Sequence, residues 1–407
     1  MKPRTDPYAA LVLLTGLNFF NYIDRNVLFA IQDMVKGEFH CSDTQLGFLT
    51  TAFFFSYMIT APFAGFVADR YPRKLIMAGG AVVWSLFTLL TAVTHDFETL
   101  LVRHTLVGVG EATFVAIAPA FLSDMFPEHR RGRMLSVFYL AIPVGSACGY
   151  LIGGVLGHRF GWRSPFYVAA APGFLLALGI LLIPEPARGS ADRIPESLER
   201  TTVLGLFRNG GYWTCSLGMA MMTFTVGGLQ VWMPTFLSRV RGVPLASANT
   251  IFGSMTLASG LVATLAGGWL GDRLLRRTKG AHFLVSAVGM TLALPAMAVA
   301  IHAEGAAMYA GILLAEFFLL LNTAPLNAAL VNSVGASVRA TAVAVNMFVI
   351  HLLGDAFSPT LIGWISDRSD LQTGFAPTFV AVAISASVLF LGMRFAPAVL
   401  SLGDEPR

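Results

Sequence analysis

Six acids and arginines stand inside stretches that are otherwise apolar: Asp24, Arg25, Arg103, Glu111, Glu316 and Asp355, joined by the imidazoles of His104 and His351. An ionisable group at a bilayer centre costs about 2.5–3.5 kcal/mol on insertion scales, so it faces a cavity or a partner. Asp24 and Arg25 are neighbours and point about 100° apart on a helix, so they do not pair face to face. Arg25 shares its stripe with Asn18 and Asn21. One reading is that Asp24 binds a proton or orients a cationic group while Arg25, beside Asn21, binds an anionic head group. The other is a charge pair bridging two helices with no role in binding. Seven residues make nearly two turns, which puts His104 within about 20° of the face of Glu111 and Arg103 about 80° away. Apolar burial and a nearby arginine act on a carboxyl's proton affinity in opposite directions, so Glu111 is the candidate site of proton coupling. His104 either joins it or modulates it, and Arg103 is the candidate cation for a head group. His351 and Asp355 are four apart and share a helical face, either as a second candidate binding pair or as a plain helix–helix hydrogen bond.

These residues need elements long enough to hold them in an apolar phase. Hydrophobic residues make up 55% of the 407-residue chain and charged residues 12%, against about 25% charged in a soluble domain. A helix crossing the hydrocarbon core needs about 20 apolar residues. The sequence predicts twelve such helices, near 8–32, 43–68, 75–94, 99–125, 133–157, 163–183, 212–237, 246–271, 281–301, 306–334, 338–366 and 373–396. The fold class is an all-α membrane protein of two six-helix bundles, 1–184 and 212–407. Residues 185–211, rich in Pro, Gly and charge, form a cytoplasmic linker between them. With a cytoplasmic N-terminus, most of the 27 Lys and Arg fall on that side, whereas Lys36, Arg159, Arg163, Arg239, Arg241 and Arg368 fall on the other. This bias places both termini in the cytoplasm, in the inner membrane if the source is bacterial. It also accounts for the net charge of +4 without a nucleic-acid partner. The first apolar run continues through Asp24-Arg25 with no small-residue cleavage site, so no cleavable signal peptide is expected.

One ten-residue pattern occurs twice. Gly65-Phe66-Val67-Ala68-Asp69-Arg70-Tyr71-Pro72-Arg73-Lys74 returns as Gly268-Trp269-Leu270-Gly271-Asp272-Arg273-Leu274-Leu275-Arg276-Arg277, each at the end of an uncharged run. An acid there can pair with an arginine or helix terminus and hold one face shut. Asp69, Arg70, Arg73, Asp272 and Arg273 are therefore candidate gate residues, with Arg131 and Arg339 as their partners. Plain anchoring on the positive side explains part of the basic set. In the fifth span, Gly145, Gly149, Gly153 and Gly157 recur every fourth residue, a spacing for close helix contact. Phe53, Phe54, Phe55, Met219, Met221, Met222 and Phe224 are candidates to line a pocket for an acyl tail.

Six plus six helices, a charged linker and the repeated G-x-x-x-D-R-x-x-R-(K/R) resemble the major facilitator superfamily, with Pro72 in place of the usual loop glycine. Asn21-Tyr22-Ile23-Asp24-Arg25, Leu106-Val107-Gly108-Val109-Gly110-Glu111-Ala112, Phe138-Tyr139-Leu140-Ala141-Ile142-Pro143-Val144-Gly145-Ser146 and His351-Leu352-Leu353-Gly354-Asp355 resemble its Spinster branch. That resemblance implies transport of lysolipids or sphingosine-type lipids linked to a proton gradient. The branch places an arginine seven residues before the glutamate of G-V-G-E-A; here His104 holds that position and Arg103 precedes it.

No phosphate-binding G-x-x-x-x-G-K-[ST], zinc-ligand spacing or nucleophile elbow is present. The expected protein is a monomeric transporter, not an enzyme, with no cofactor and no metal. Its partners are the bilayer, protons and a small amphiphilic lipid. A proton-linked exporter of hydrophobic drugs or organic anions uses the same chemistry, and a non-transporting receptor or scaffold is the reading from another class.

Overall fold

The computed structural model describes residues 6–187, 203–334 and 339–396, and within these the side chains of Arg131 and Arg339 lie outside the described set. The helices are α1 Pro7–Phe39, α2 Asp43–Ala68, α3 Arg73–Thr91, α4 Phe97–Ser123, α5 Glu128–Phe160, α6 Ser164–Leu182, α7 Val203–Leu206 and α8 Gly210–Arg239. They continue as α9 Leu245–Leu275, α10 Ala281–His302, α11 Gly305–Leu320, α12 Thr323–Asn332, α13 Arg339–Ile350, α14 Ser358–Arg368, α15 Leu371–Gly374 and α16 Ala376–Gly392. Among the described residues there is no strand, and 10 helical segments are long and apolar enough to cross a membrane. The protein is a multi-pass membrane protein. The first and seventh expected spans form as α1 and α8 but are not among those ten. Polar and charged residues on α1 are what separate it from a plain apolar span. The tenth expected span breaks at Leu321-Asn322 into α11 and α12, and the eleventh breaks between α13 and α14.

The chain forms two compact units. One comprises residues 1–194, 228–257 and 356–374; the other comprises 195–227, 258–355 and 375–407.

In the first unit, α5 lies along α1. A Cβ at Gly145 would stand 2.6 Å from the Phe19 carbonyl, and one at Gly149 would stand 2.7 Å from the Asn26 Cβ. Gly153 meets Ala30 and Val27 in the same way, and Gly157 meets Ile31 and Met34. The glycine stripe is thus the seat of α1, the helix that carries Asp24 and Arg25. Asn18 and Asn26 fasten the contact, donating to the Phe138 carbonyl at 3.1 Å and to Ser146 Oγ at 3.1 Å.

A second fastening follows from a proline. Pro234 inside α8 has no N–H, which frees the carbonyl of Gln230 four residues earlier. The hydroxyl of Tyr150 on α5 donates to that carbonyl at 2.7 Å. In a bilayer such a group must be satisfied within the protein. Gln32 of α1 donates to the Val231 carbonyl at 2.6 Å and to Thr235 Oγ1 at 2.7 Å.

In the second unit, the chain between α13 and α14 widens into a five-residue π turn, His351–Asp355. Thr223 of α8 donates to the Ile350 carbonyl at 3.0 Å, and a Cβ at Gly354 would stand 2.3 Å from the Thr223 oxygen. Only glycine fits so close to α8. Such turns recur at functional sites.

Candidate functional site

Arg25 of α1 and Glu111 of α4 form an ion pair, Nη2 to Oε2, at 2.7 Å. The Glu111 side chain is fully buried and that of Arg25 is 12% exposed. Four rings surround the guanidinium: its centre lies 4.9 Å from the ring centroid of Tyr22, 5.0 Å from Phe53, 5.5 Å from Phe54 and 5.6 Å from Tyr57. A cation over an aromatic face is held by the ring quadrupole, more strongly when water is excluded. The result is a cation in an apolar, aromatic socket with one carboxylate as counter-ion. An incoming anion can compete with Glu111 for the same guanidinium.

α2 supplies three of these rings because it lies close to α4. A Cβ at Gly108 would stand 2.6 Å from the Phe53 carbonyl, and Ser56 donates to the Thr105 carbonyl at 2.7 Å. His104, buried on the same stretch of α4, stacks on Phe53 with centroids 5.2 Å apart and planes at 25°. Asn21 is fully buried one turn before Arg25.

Asp24 takes a different direction from its neighbour. It is buried and accepts a hydrogen bond from Thr88 of α3. Arg103 stays at the far end of α4, where it donates to the Leu90 carbonyl and to Thr94 Oγ1, the latter at 2.9 Å. Asp24, Arg25, Glu111 and His104 therefore gather in the first unit, with Arg103 tied to the end of α3 instead. Phe53 and Phe54 pack on the arginine, whereas Phe55 is exposed and meets Phe357.

His351 and Asp355 form a separate pair in the second unit, with Nδ1 at 2.9 and 3.1 Å from the two carboxylate oxygens. Glu316 is buried on α11.

The repeated loops differ from each other. Arg73 is buried, with Nη1 2.6 Å from Asp124 at the end of α4 and Nε 3.3 Å from Glu185. Lys74 donates to the Leu181 and Ile183 carbonyls at 3.1 Å each. In the second copy Arg273 lies over Trp269 at 5.2 Å, as Arg70 lies over Phe66 at 3.5 Å in the first. Asp69 and Asp272 are exposed, and among the described residues neither makes an ion pair. Their expected partners Arg131 and Arg339 lie outside the described side chains.

One cluster was not foreseen from the sequence, although most of its members are charges beside an expected span. Where α1 passes to α2, the carboxylate of buried Asp43 receives Lys36 at 2.6 Å, Arg239 at 2.7 Å and Ser366 at 2.7 Å. Arg239 also contacts Asp33 at 2.5 Å, and Asp367 accepts from the backbone N–H groups of Asp43 and Thr44 at 2.8 Å each. Beside it, Glu38 accepts from Arg163 and from the Trp162 indole, and these bonds hold its carboxyl below the usual range.

The family model described as Major Facilitator Superfamily matches residues 14–359. Protein spinster homolog 3 of Danio rerio is 37% identical, over 95% of this chain and 82% of that protein. The sphingosine-1-phosphate transporter SPNS2 of Danio rerio is 34% identical, over 99% of this chain and 83% of its own length. Among solved structures, a bacterial homologue of the human lysosomal transporter Spinster, in an inward-facing and unoccupied conformation, superposes with a TM-score of 0.87. Its identity is 24%, with 97% of this chain and 98% of that one covered. A D-xylose–proton symporter shares the fold at a TM-score of 0.78 and 16% identity, over 97% and 98% of the two chains.

Proposed function

The chain belongs to the major facilitator superfamily and to its spinster family, and from that premise we propose that it is a proton-coupled transporter of single-chain lipids with an anionic head group. The observation that carries this reading is the Arg25–Glu111 pair in its socket of four rings. A buried guanidinium fits a phosphate bidentately. Phosphate binding at Arg25 releases Glu111, and a released, buried carboxylate favours taking up a proton. Head-group binding and protonation are then linked through one arginine. Asp24, held apart on α3, is the second proton site. His104, stacked on Phe53, shapes the socket, and Asn21 lies on the Arg25 stripe as a further head-group contact. His351 and Asp355 form the binding pair of the C-terminal half. Transport proceeds by alternating access between two six-helix halves, with the Asp69 and Asp272 loops gating the cytoplasmic face. A lysophospholipid or sphingoid phosphate fits this chemistry, and the relative that transports sphingosine-1-phosphate supports the lipid class.

The test is flux in proteoliposomes of the purified protein. Saturable transport of lysophosphatidylglycerol, competed by other anionic single-chain lipids and lost in Arg25→Ala, is the expected outcome. Competition by hydrophobic drugs but not by lysolipids would replace this reading with that of a drug exporter.

A further inference from the structure

Adjacent residues on α1 are addressed from different helices. Arg25 meets Glu111 on α4 and rings on α2, whereas Asp24 meets Thr88 on α3. Thr88 is 1% exposed and Asp24 5% exposed. A buried threonine within a helix ordinarily turns its hydroxyl back to its own backbone. Thr91 does so toward the Phe87 carbonyl at 2.9 Å, as half-buried Thr105 does toward the Leu101 carbonyl at 2.7 Å. Thr88, one turn from Thr91 on the same helix, instead donates across to the Asp24 carboxylate. A bond from a hydroxyl to a carboxylate is about twice as strong as a neutral one, and in a dry interior it fixes the rotamer it binds.

We infer that Thr88 is the positioning residue that fixes the Asp24 carboxyl of α1 toward α3, so that this proton site has a donor of its own, separate from the Arg25–Glu111 pair. The inference rests on the reading of Asp24 as a proton site. The charged and titratable groups that act on Asp24 are Glu111 from α4 and Arg25 from its own helix, and α3 contributes the Thr88 hydroxyl. Without Thr88 the Asp24 carboxyl loses the hydroxyl donor that fixes its rotamer and its charged form.

The experiment measures the pH dependence of gradient-driven lysophosphatidylglycerol transport in proteoliposomes of the full chain. The variants are Thr88→Val, Thr88→Ser and Asp24→Asn, with Thr88→Ala repeating the loss of the hydroxyl should the valine variant misfold. Thr88→Val is expected to displace the half-maximal pH by about one unit, the effect of one charge-assisted hydrogen bond. Thr88→Ser, which keeps the hydroxyl, is expected to restore the wild-type profile. A purely structural role would lower the rate without moving the profile. An unmoved profile in Thr88→Val and Thr88→Ala, with the gradient response lost in Asp24→Asn, overturns the role of Thr88 alone. A gradient response that survives in Asp24→Asn overturns the proton site and this inference together.

Discussion

Removing one partner of the Arg25–Glu111 pair leaves a charge buried without its counter-ion, which costs about 3–5 kcal/mol. Arg25→Ala is therefore expected to lower the melting temperature strongly, and Arg25→Ala with Glu111→Gln to recover most of that loss while transport stays absent. Equal melting temperatures for the single and double variants would show that the pair is not a closed electrostatic unit. Arg25 and Glu111 were each legible in the sequence, because a charge inside an apolar helix has few harmless explanations, and a charge pair bridging two helices was one of the readings; that these two residues make it was not legible. Arg103, expected as the cation for a head group, stands about 80° from Glu111 by helix phase, and in the structure it donates to the Leu90 carbonyl and to Thr94. Thr88 was invisible, since a threonine in a membrane helix ordinarily bonds its own backbone. The one sequence signal that could have marked it is the spacing by three of Ser85, Thr88 and Thr91, which puts three hydroxyls on one helical face.

Helices set how precisely those residues sit. Gly149→Ala drives a Cβ against Asn26 and the Ile23 carbonyl and is expected to cost about 1–3 kcal/mol by overpacking. Gly79→Ala on α3, with nothing within 4 Å of the added carbon, is expected to be neutral or stabilising by up to about 1 kcal/mol. Thermal unfolding of the two variants separates these outcomes; similar costs would remove the glycine stripe as the seat of α1. The Tyr150 contact gives a second check. Tyr150→Phe abandons the carbonyl freed by Pro234 and is expected to cost about 1–3 kcal/mol. Pro234→Ala returns a helical N–H to Gln230, so Tyr150→Phe in that background is expected to cost much less. Equal costs in both backgrounds would contradict the assignment. The four-residue spacing of glycines announced close packing from sequence alone. That the partner is α1 was not legible, because spacing gives a face and not its neighbour.

At the scale of the whole molecule, the ends of α1 and α2 are bound to Arg239, Ser366 and Asp367 in a layer of charged and polar groups. Asp43→Asn removes the charge shared by Lys36 and Arg239. Cys41, buried beside it with a thiol pushed up by that burial, reports the result. In a background lacking Cys148 and Cys215, Asp43→Asn is expected to speed labelling of Cys41 by a membrane-impermeant maleimide; an unchanged rate would contradict a role for the Asp43 charge in keeping Cys41 covered. The neighbouring Glu38 carboxyl is held low by its bonds to Arg163 and Trp162. Its contribution is present above the ordinary carboxylate range of about 4.3 and is lost as pH falls through the lower folded value. Its partial exposure keeps that contribution below about 1 kcal/mol. Glu38→Gln is thus expected to lower the melting temperature slightly at neutral pH, with the difference vanishing in strong acid. The repeat and the long apolar runs carried the superfamily fold in the sequence. The charged layer was not legible, because it joins residues hundreds of positions apart whose charges each have a plain reading as membrane flanks. The central claim, that lipid movement is tied to protons through α1, is tested most directly by imposing a pH gradient on proteoliposomes and following lysophosphatidylglycerol. The account predicts gradient-driven accumulation by the wild-type protein and none by Asp24→Asn; accumulation indifferent to the gradient, or equal in the two proteins, would contradict it.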